Sequence, residues 1–467
     1  MGLTDVMEKL FYPRSIAVIE ASSKREWQVL GISGRNYEGK LYLVSKEEDT
    51  VFGIKCYKEV SELPDGLDHA IISINRNLLK ETIEKCIEKK FATLHIFAAG
   101  GAEFDEKGEK IEHELYELIQ NSSSRAIGPN CMGIYSPEGK YAYSPQFAPK
   151  VGNVALVSHS GDLTTQFILM ENNSGVYFSK AASIGNSIDL KITDFLEYFS
   201  ADEQSEILCV YFEGFSRHAT EDGRRLWKIL RENKKPLIVL RGGLTDQGKK
   251  AVSSHTGTIV SSNRIWDAIF KQTSALQVET YDEWIDAAIA FNFCKNLYPQ
   301  LKSVVLIGWS GGKVVTSTDQ IIQLGIEMPE IAAATQARMK SLIKVGSVRN
   351  PLDLPWIGRE EKYPEICRLA IEEPYIGGII NEAGTWEKLD DHFQKYFENL
   401  LKMFEYTKAV KKPFLLSLPY SNYYIQREEF KSKLIEHGIP VFPTIQRAAK
   451  AFLILYEYYR KLNSLHS

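Results

Sequence analysis

Apolar positions fall into short runs separated by longer amphipathic stretches. Ser15–Ile19 (SIAVI), 41–44 (LYLV), 70–74 (AIISI) and 93–98 (TLHIFA) are rich in β-branched and aliphatic residues, and each predicts a buried strand. Segments 79–90 and 107–119 place apolar residues at helical spacing with charges on the opposite face, and predict helices. Strand and helix in alternation, joined by small-residue turns, is the pattern of a doubly wound parallel sheet. This first unit ends near the turn cluster Gly128-Pro129-Asn130.

Two further α/β units follow, and their patterns match each other. VALVSHSGDL at 154–163 corresponds to VVLIGWSGGKV at 304–314: an apolar strand, two residues, then Ser-Gly opening a helix. GNSIDL at 185–190 corresponds to RNPLDL at 349–354, and EILCVYFEG at 206–214 to YIGGIINEAG at 375–384. PLIVLRGG at 236–243 corresponds to PFLLSLP at 413–419, so the order is the same in both halves. The pattern predicts a duplicated flavodoxin-like domain, with a linker near 296–301. The fold class expected is α/β, a Rossmann-like N-terminal domain followed by two flavodoxin-like doubly wound domains. The boundaries expected are 1–147, 148–298 and 299–467.

Length agrees: 467 residues at roughly 150 per domain give about three. The 44% hydrophobic and 25% charged residues are ordinary for a globular protein, and 11% aromatic residues argue against disorder. A formal net charge of −4 excludes nucleic-acid binding by bulk charge, yet leaves room for a local phosphate site. The opening segment lacks a basic n-region and no apolar stretch is long enough to span a bilayer, so neither a secretory leader nor a membrane anchor is expected. Six cysteines without a CxxC pair and nine histidines without an HxxxH pair predict buried thiols in the cytoplasm and no metal site.

Several segments carry candidate chemistry. Ser158-His159-Ser160-Gly161 lies between a strand and a helix, where free N–H groups and the helix dipole hold a small anion. A plain structural turn is the alternative; a hydrolase elbow needs a glycine where Ser158 stands. Gly128-Pro129-Asn130-Cys131-Met132-Gly133 reads equally as a structural turn, and nothing near Cys131 supplies a base. The segment 242–257 is rich in Gly, Ser and Thr around His255, a composition that predicts a mobile loop rather than a packed element. Glu213 follows the strand Ile207–Phe212, at the kind of strand end where α/β sites form. A carboxylate there can orient an imidazole and leave its other nitrogen nucleophilic, or simply face solvent. Asp189 and Asp353, the repeated aspartates of Asn-x-x-Asp-Leu, read first as helix N-caps.

Together these residues resemble the α subunit of the NDP-forming acyl-CoA synthetases, relatives of succinyl-CoA synthetase, over nearly the whole chain. GPNCMG at 128–133, VSHSGDL at 157–163, GNSIDL at 185–190, the strand ending in Glu213-Gly214, GKKAVSSHTG at 248–257 and RNPLDL at 349–354 are similar to that family's signatures. The resemblance implies an acid–thiol ligase that interconverts acyl-CoA, phosphate and ADP with free acid, CoA and ATP, through acyl phosphate and phosphohistidine. It implies His255 as the phosphoryl acceptor and Glu213 as its orienting group. Ser160, Gly161, Asn130, Asn186 and Gly257 would serve the phosphate or acyl phosphate, and Ser22, Lys46 and Pro129 would contact CoA. ADP or ATP with Mg would belong to an ATP-grasp partner subunit, since no G-x-x-x-x-G-K-[ST] loop and no spare length exist here. A hetero-oligomer such as α2β2 follows.

The departures from that family's pattern cluster on the CoA side. Glu20 stands at a glycine position beside the CoA phosphates, Glu47 at a basic position next to Lys46, Asn75 at a proline position, and His159 at a glutamine position. The alternative is therefore a paralogue without CoA binding, either an acid–amine ligase subunit using acyl-phosphate chemistry or a non-catalytic regulatory module.

Overall fold

The computed structural model describes residues 1–102, 104–217, 221–256, 262–355 and 357–466, with the side chains of 253–256 and 465–466 outside that description. The chain divides into two compact units, Met1–Glu279 and Thr280–Ser467.

The first unit holds two seven-stranded sheets. In the N-terminal sheet the order is Thr50–Val51, Ile54–Tyr57, Lys40–Val44, Ser15–Ile19, His69–Ile72, Thr93–Ile96, Arg125–Ile127. Apart from the antiparallel edge strand Thr50–Val51 its pairs are parallel, with Val18 opposite Leu43 on one side and Ile71 on the other. That order is the Rossmann arrangement, whose ligand crevice opens where the connections reverse, here beyond Ile19. The strands are buried on both faces, which is why they read as continuous apolar runs.

The second sheet runs Leu276–Val278, Leu237–Arg241, Ile207–Phe212, Val154–Ser158, Phe178–Ser183, then the antiparallel pair Gly133–Ser136 and Tyr141–Ala142. Its five parallel strands follow the flavodoxin order, with Val154–Ser158 first in sequence and second from the end in space. The hairpin from 133 to 142 extends it through Ile134 against Ala182. One apolar cluster from Val6 to Ala275 lies among these elements, and another, from Ala17 to Ile188, packs mainly in the N-terminal sheet.

The second unit contains the parallel sheet Leu352–Asp353, Val304–Gly308, Gly378–Glu382, Phe414–Ser417, Val441–Phe442, again in flavodoxin order. The expected duplication is thus present strand for strand. Tyr281–Phe293 packs on the C-terminal helix Ile445–His466, where Arg447 pairs with the buried Asp286 at 2.7 Å and Phe291 meets Tyr458 edge-on. No helix among the described residues is long and apolar enough to cross a membrane.

Two expectations need correction. Residues Asp246–Thr256 form an α-helix, not a loop. Thr245 Oγ1 accepts the Gly248 N–H at 3.0 Å, Asp246 sits in the first turn, and Val252 is buried, so capping and one apolar anchor outweigh a Gly- and Ser-rich composition. Asp189 caps no helix. Its carboxylate accepts from Arg125 Nε at 2.9 Å, the Ala126 N–H at 2.7 Å and Gln120 Nε2 at 2.9 Å, tying the segment after Phe178–Ser183 to the edge of the first sheet. Asp353 closes the short strand Leu352–Asp353 instead of opening a helix.

Candidate functional site

The central strand Ile207–Phe212 delivers Glu213 to the carboxyl edge of its sheet, 6% exposed. Burial and the adjacent Glu213 carboxylate, which accepts its hydrogen bond, push the Tyr211 hydroxyl up. Gly242, after the neighbouring strand, leaves room for this pair: a Cβ there would lie 3.0 Å from Tyr211 Oη, 3.4 Å from Glu213 Cγ and 3.5 Å from Val252 Cγ2. Val252 therefore packs the helix Asp246–Thr256 beside Glu213, and His255 follows it by three positions, one turn further along the helix. The His255 side chain and Gly257 lie outside the described residues.

Val154–Ser158 brings Ser158 to the same edge, paired with Tyr211. Ser158 Oγ accepts the Ser160 N–H at 3.1 Å and donates to the Ser160 carbonyl at 3.0 Å, which fixes the turn. Ser160 caps the helix Gly161–Asn173, accepting the Leu163 N–H on Oγ at 3.3 Å. Its hydroxyl is thus committed to the cap, and Gly161 begins the first turn, where the helix dipole is positive. His159 is 3% exposed, and its Nδ1 accepts the backbone N–H of Glu213 at 3.1 Å. Burial pushes this imidazole down to about 3, so it is neutral at pH 7, with the proton on Nε2.

The turn at 128–130 docks against 184–188 through backbone hydrogen bonds: Gly128 N–H to Ile184 O at 3.2 Å, Asn186 N–H to Pro129 O at 3.0 Å and Ile188 N–H to Gly128 O at 3.1 Å. Asn130 adopts a left-handed backbone, φ +58°, which asparagine tolerates well. Asn186 is 2% exposed and its Nδ2 donates to Glu112 at 2.8 Å. Cys131 is buried, its thiol pushed up by burial and donating to Ile96 O at 3.5 Å, which suits a structural residue.

Beyond Ile19 a cavity of about 800 Å³ opens in the N-terminal sheet, lined by Glu20, Arg25, Ser73, Arg76, Phe97 and Phe104 among others. Glu20 lies in the left-handed region at φ +66°. Arg25 donates to Ser73 O at 2.9 Å and Glu20 O at 3.1 Å; Arg76 pairs with Asp105 at 2.9 Å and covers the Phe104 ring at 4.7 Å. Ser22, Lys46 and Pro129 do not line the cavity. Ser22 instead accepts the Lys24 N–H at 3.2 Å, and Lys46 is exposed. The two guanidiniums were not legible in the sequence; Arg76 follows directly on Asn75, the one signal that attention to that turn could have used.

Residues 14–137 match the CoA binding domain family, and residues 151–291 match the succinyl-CoA ligase like flavodoxin domain. Fold and site together define a protein of the CoA-ligase class. The ADP-forming acetate–CoA ligase II subunit alpha of Pyrococcus furiosus is 32% identical over 381 residues, 80% of this chain and 82% of that one. The ADP-forming 4-hydroxybutyrate–CoA ligase of Nitrosopumilus maritimus is 31% identical over 416 residues, 87% of this chain; the match covers 58% of that longer relative. The dinucleotide-forming acetyl-coenzyme A synthetase 1 of Ca. Korarchaeum cryptofilum, solved in complex with phosphate and ADP, superposes with a TM-score of 0.83 at 25% identity over 98% of both chains. The chain belongs to the family of ADP-forming acyl-CoA synthetases, in the class of their α subunits.

Proposed function

We propose that this chain carries the CoA and phosphohistidine functions of an ADP-forming acyl-CoA synthetase in the cytoplasm. An ATP-grasp partner would bind ADP or ATP with Mg, in an assembly such as α2β2. The carrying observation is the packing of Glu213 and Val252 around Gly242, which sets the helix bearing His255 beside a buried carboxylate at a parallel-strand end. The three-domain division at 147 and 298 accompanies this reading.

Phosphate attacks the acyl carbonyl of the thioester, giving acyl phosphate and CoA thiol. An imidazole nitrogen of His255 then attacks phosphorus; the N–P bond forms as the P–O bond to the carboxylate breaks, and the free acid leaves. Glu213 accepts a hydrogen bond from the other ring nitrogen and offsets its developing charge. Ser160 keeps the helix at Gly161 capped and aimed, and that first turn, with Asn130 and Asn186, offers dipoles to the phosphoryl group. Gly257, two residues beyond His255, leaves room for a phosphoryl group because it carries no side chain. Positioning and oriented donors suffice for such transfers. On the CoA side, Arg25 and Arg76 supply cations for a diphosphate, with Ser22, Lys46 and Pro129 as flanking contacts.

The test needs no partner: the full chain is incubated with acetyl-CoA and related short acyl-CoAs together with labelled phosphate. Acid-labile, base-stable label on the parent and none on His255→Ala supports the reading; label persisting in His255→Ala overturns it. One observation favours a second reading without CoA, namely the Glu20 carboxylate on the cavity wall. Calorimetry with CoA decides between them.

A further inference from the structure

The second unit contains an aromatic cavity that the phosphoryl chemistry does not use. Its volume is about 160 Å³, close to the roughly 150 Å³ of a cavity that holds benzene. Trp309, Tyr363, Trp386 and Tyr396 wall it, with Glu382 and Arg359 as its charged residues. The rings support one another: Trp309 and Trp386 centroids lie 5.8 Å apart, Trp386 and Tyr396 4.8 Å, and Tyr363 and Tyr396 6.3 Å. Gly384 makes this possible, because a Cβ there would fall 2.2 Å from the Trp309 ring. Asn381 Nδ2 donates to Tyr363 Oη at 2.9 Å and holds that ring in place.

Glu382 closes the strand Gly378–Glu382 and is 6% exposed. Its Oε1 receives no hydrogen bond. The Lys313 ammonium stands 3.3 Å from it, but that side chain is 55% exposed and outside hydrogen-bond geometry. The Lys313 cation stands in solvent, where water competes for it and screens its charge, so it can give way to another cation. Arg359 lines the cavity from an exposed position, where water screens its charge. A buried carboxylate without a hydrogen bond on this oxygen, inside a box of aromatic faces, is matched to a cation with an apolar body. The ring quadrupoles attract positive charge, and the carboxylate makes a short charge-assisted bond to an N–H donor.

We propose that this cavity binds a small organic ammonium compound, with the ammonium on Glu382 in place of Lys313 and the apolar body between Trp309, Trp386 and Tyr396. Calorimetric titration of the full chain with benzylamine, benzyl alcohol and benzoate tests it, since the three share a ring and differ in charge. Benzylamine is expected to bind at least tenfold more tightly than the other two. Glu382→Gln should bring it down to the level of the alcohol, whereas Lys313→Met, which removes an exposed competing cation, should tighten it several-fold. Equal or tighter binding of benzoate or benzyl alcohol overturns the proposal. So does benzylamine affinity that is undetectable, unchanged in Glu382→Gln, or not raised in Lys313→Met. All readings are binding heats, independent of any phosphoryl transfer in the first unit.

Discussion

The backbone N–H of Glu213 donates to Nδ1 of His159 at 3.1 Å, so a buried imidazole holds the strand end that carries the carboxylate. Burial pushes His159 down from 6.5 to about 3. The unfolded chain therefore binds a proton that the native chain refuses, and stability, complete above pH 6.5, falls as pH drops toward 3. Glutamine offers an acceptor without titrating. His159→Gln is expected to lose less stability than the parent between pH 7.5 and pH 5, by on the order of 2 kcal/mol, measured by urea unfolding at both values. His69 and His95, also pushed down by burial, leave the remaining acid sensitivity in place.

On the proposed mechanism, Glu213→Gln keeps the shape of the side chain and removes the charge that would steady a positive imidazole. Phosphorylation of the chain from acetyl-CoA and phosphate is expected to slow by about 10²-fold, the lower end for a positioned acid–base group. The urea midpoint should stay near that of the parent. An unchanged labelling rate would place the carboxylate outside the reaction.

The apolar runs were a faithful guide to the strands because those strands are buried on both faces; Ser15–Ile19 and Ile207–Phe212 have the bounds read from sequence. The duplicated pattern likewise revealed the flavodoxin order of both later sheets. What failed was whatever depends on distant partners. Asp189 looked like a cap from its neighbours, yet its partner Arg125 lies 64 positions earlier. The helix Asp246–Thr256 was hidden by small residues whose composition says loop, while Thr245 and Val252 do the ordering. Arg25 and Arg76 converge only once the ends of Ser15–Ile19 and His69–Ile72 stand side by side. His255 was singled out by small polar neighbours and then by family resemblance, not by any spacing that would itself specify a nucleophile.

Asp189 is a heavily engaged carboxylate between the two sheets of the first unit, its side chain 1% exposed. Asp189→Ala leaves the Arg125 guanidinium, the Ala126 N–H and the Gln120 amide without that acceptor. Breaking a buried pair from one side costs about 3–5 kcal/mol. An unfolding free energy lowered by that amount is expected from urea titration, with Arg125→Lys milder because the charge remains.

Glu20 combines two costs at the mouth of the cavity in the N-terminal sheet. Its backbone sits at φ +66°, where a side chain is strained and glycine is not. Glu20 lines the same space as Arg25 and Arg76, and a negative charge there weakens the pull of both on a diphosphate. Glu20→Gly removes both effects. Relief of the backbone is expected to raise stability by about 1 kcal/mol. Loss of the negative charge and of its bulk is expected to tighten CoA by at least tenfold in calorimetry. Glu20→Gln separates the two causes: it keeps the strain and the volume but not the charge, so it should recover CoA affinity in part and stability not at all. If both variants leave CoA binding as in the parent, the guanidiniums already dominate the cavity, and Arg25→Ala or Arg76→Ala should then weaken CoA where the Glu20 changes did not.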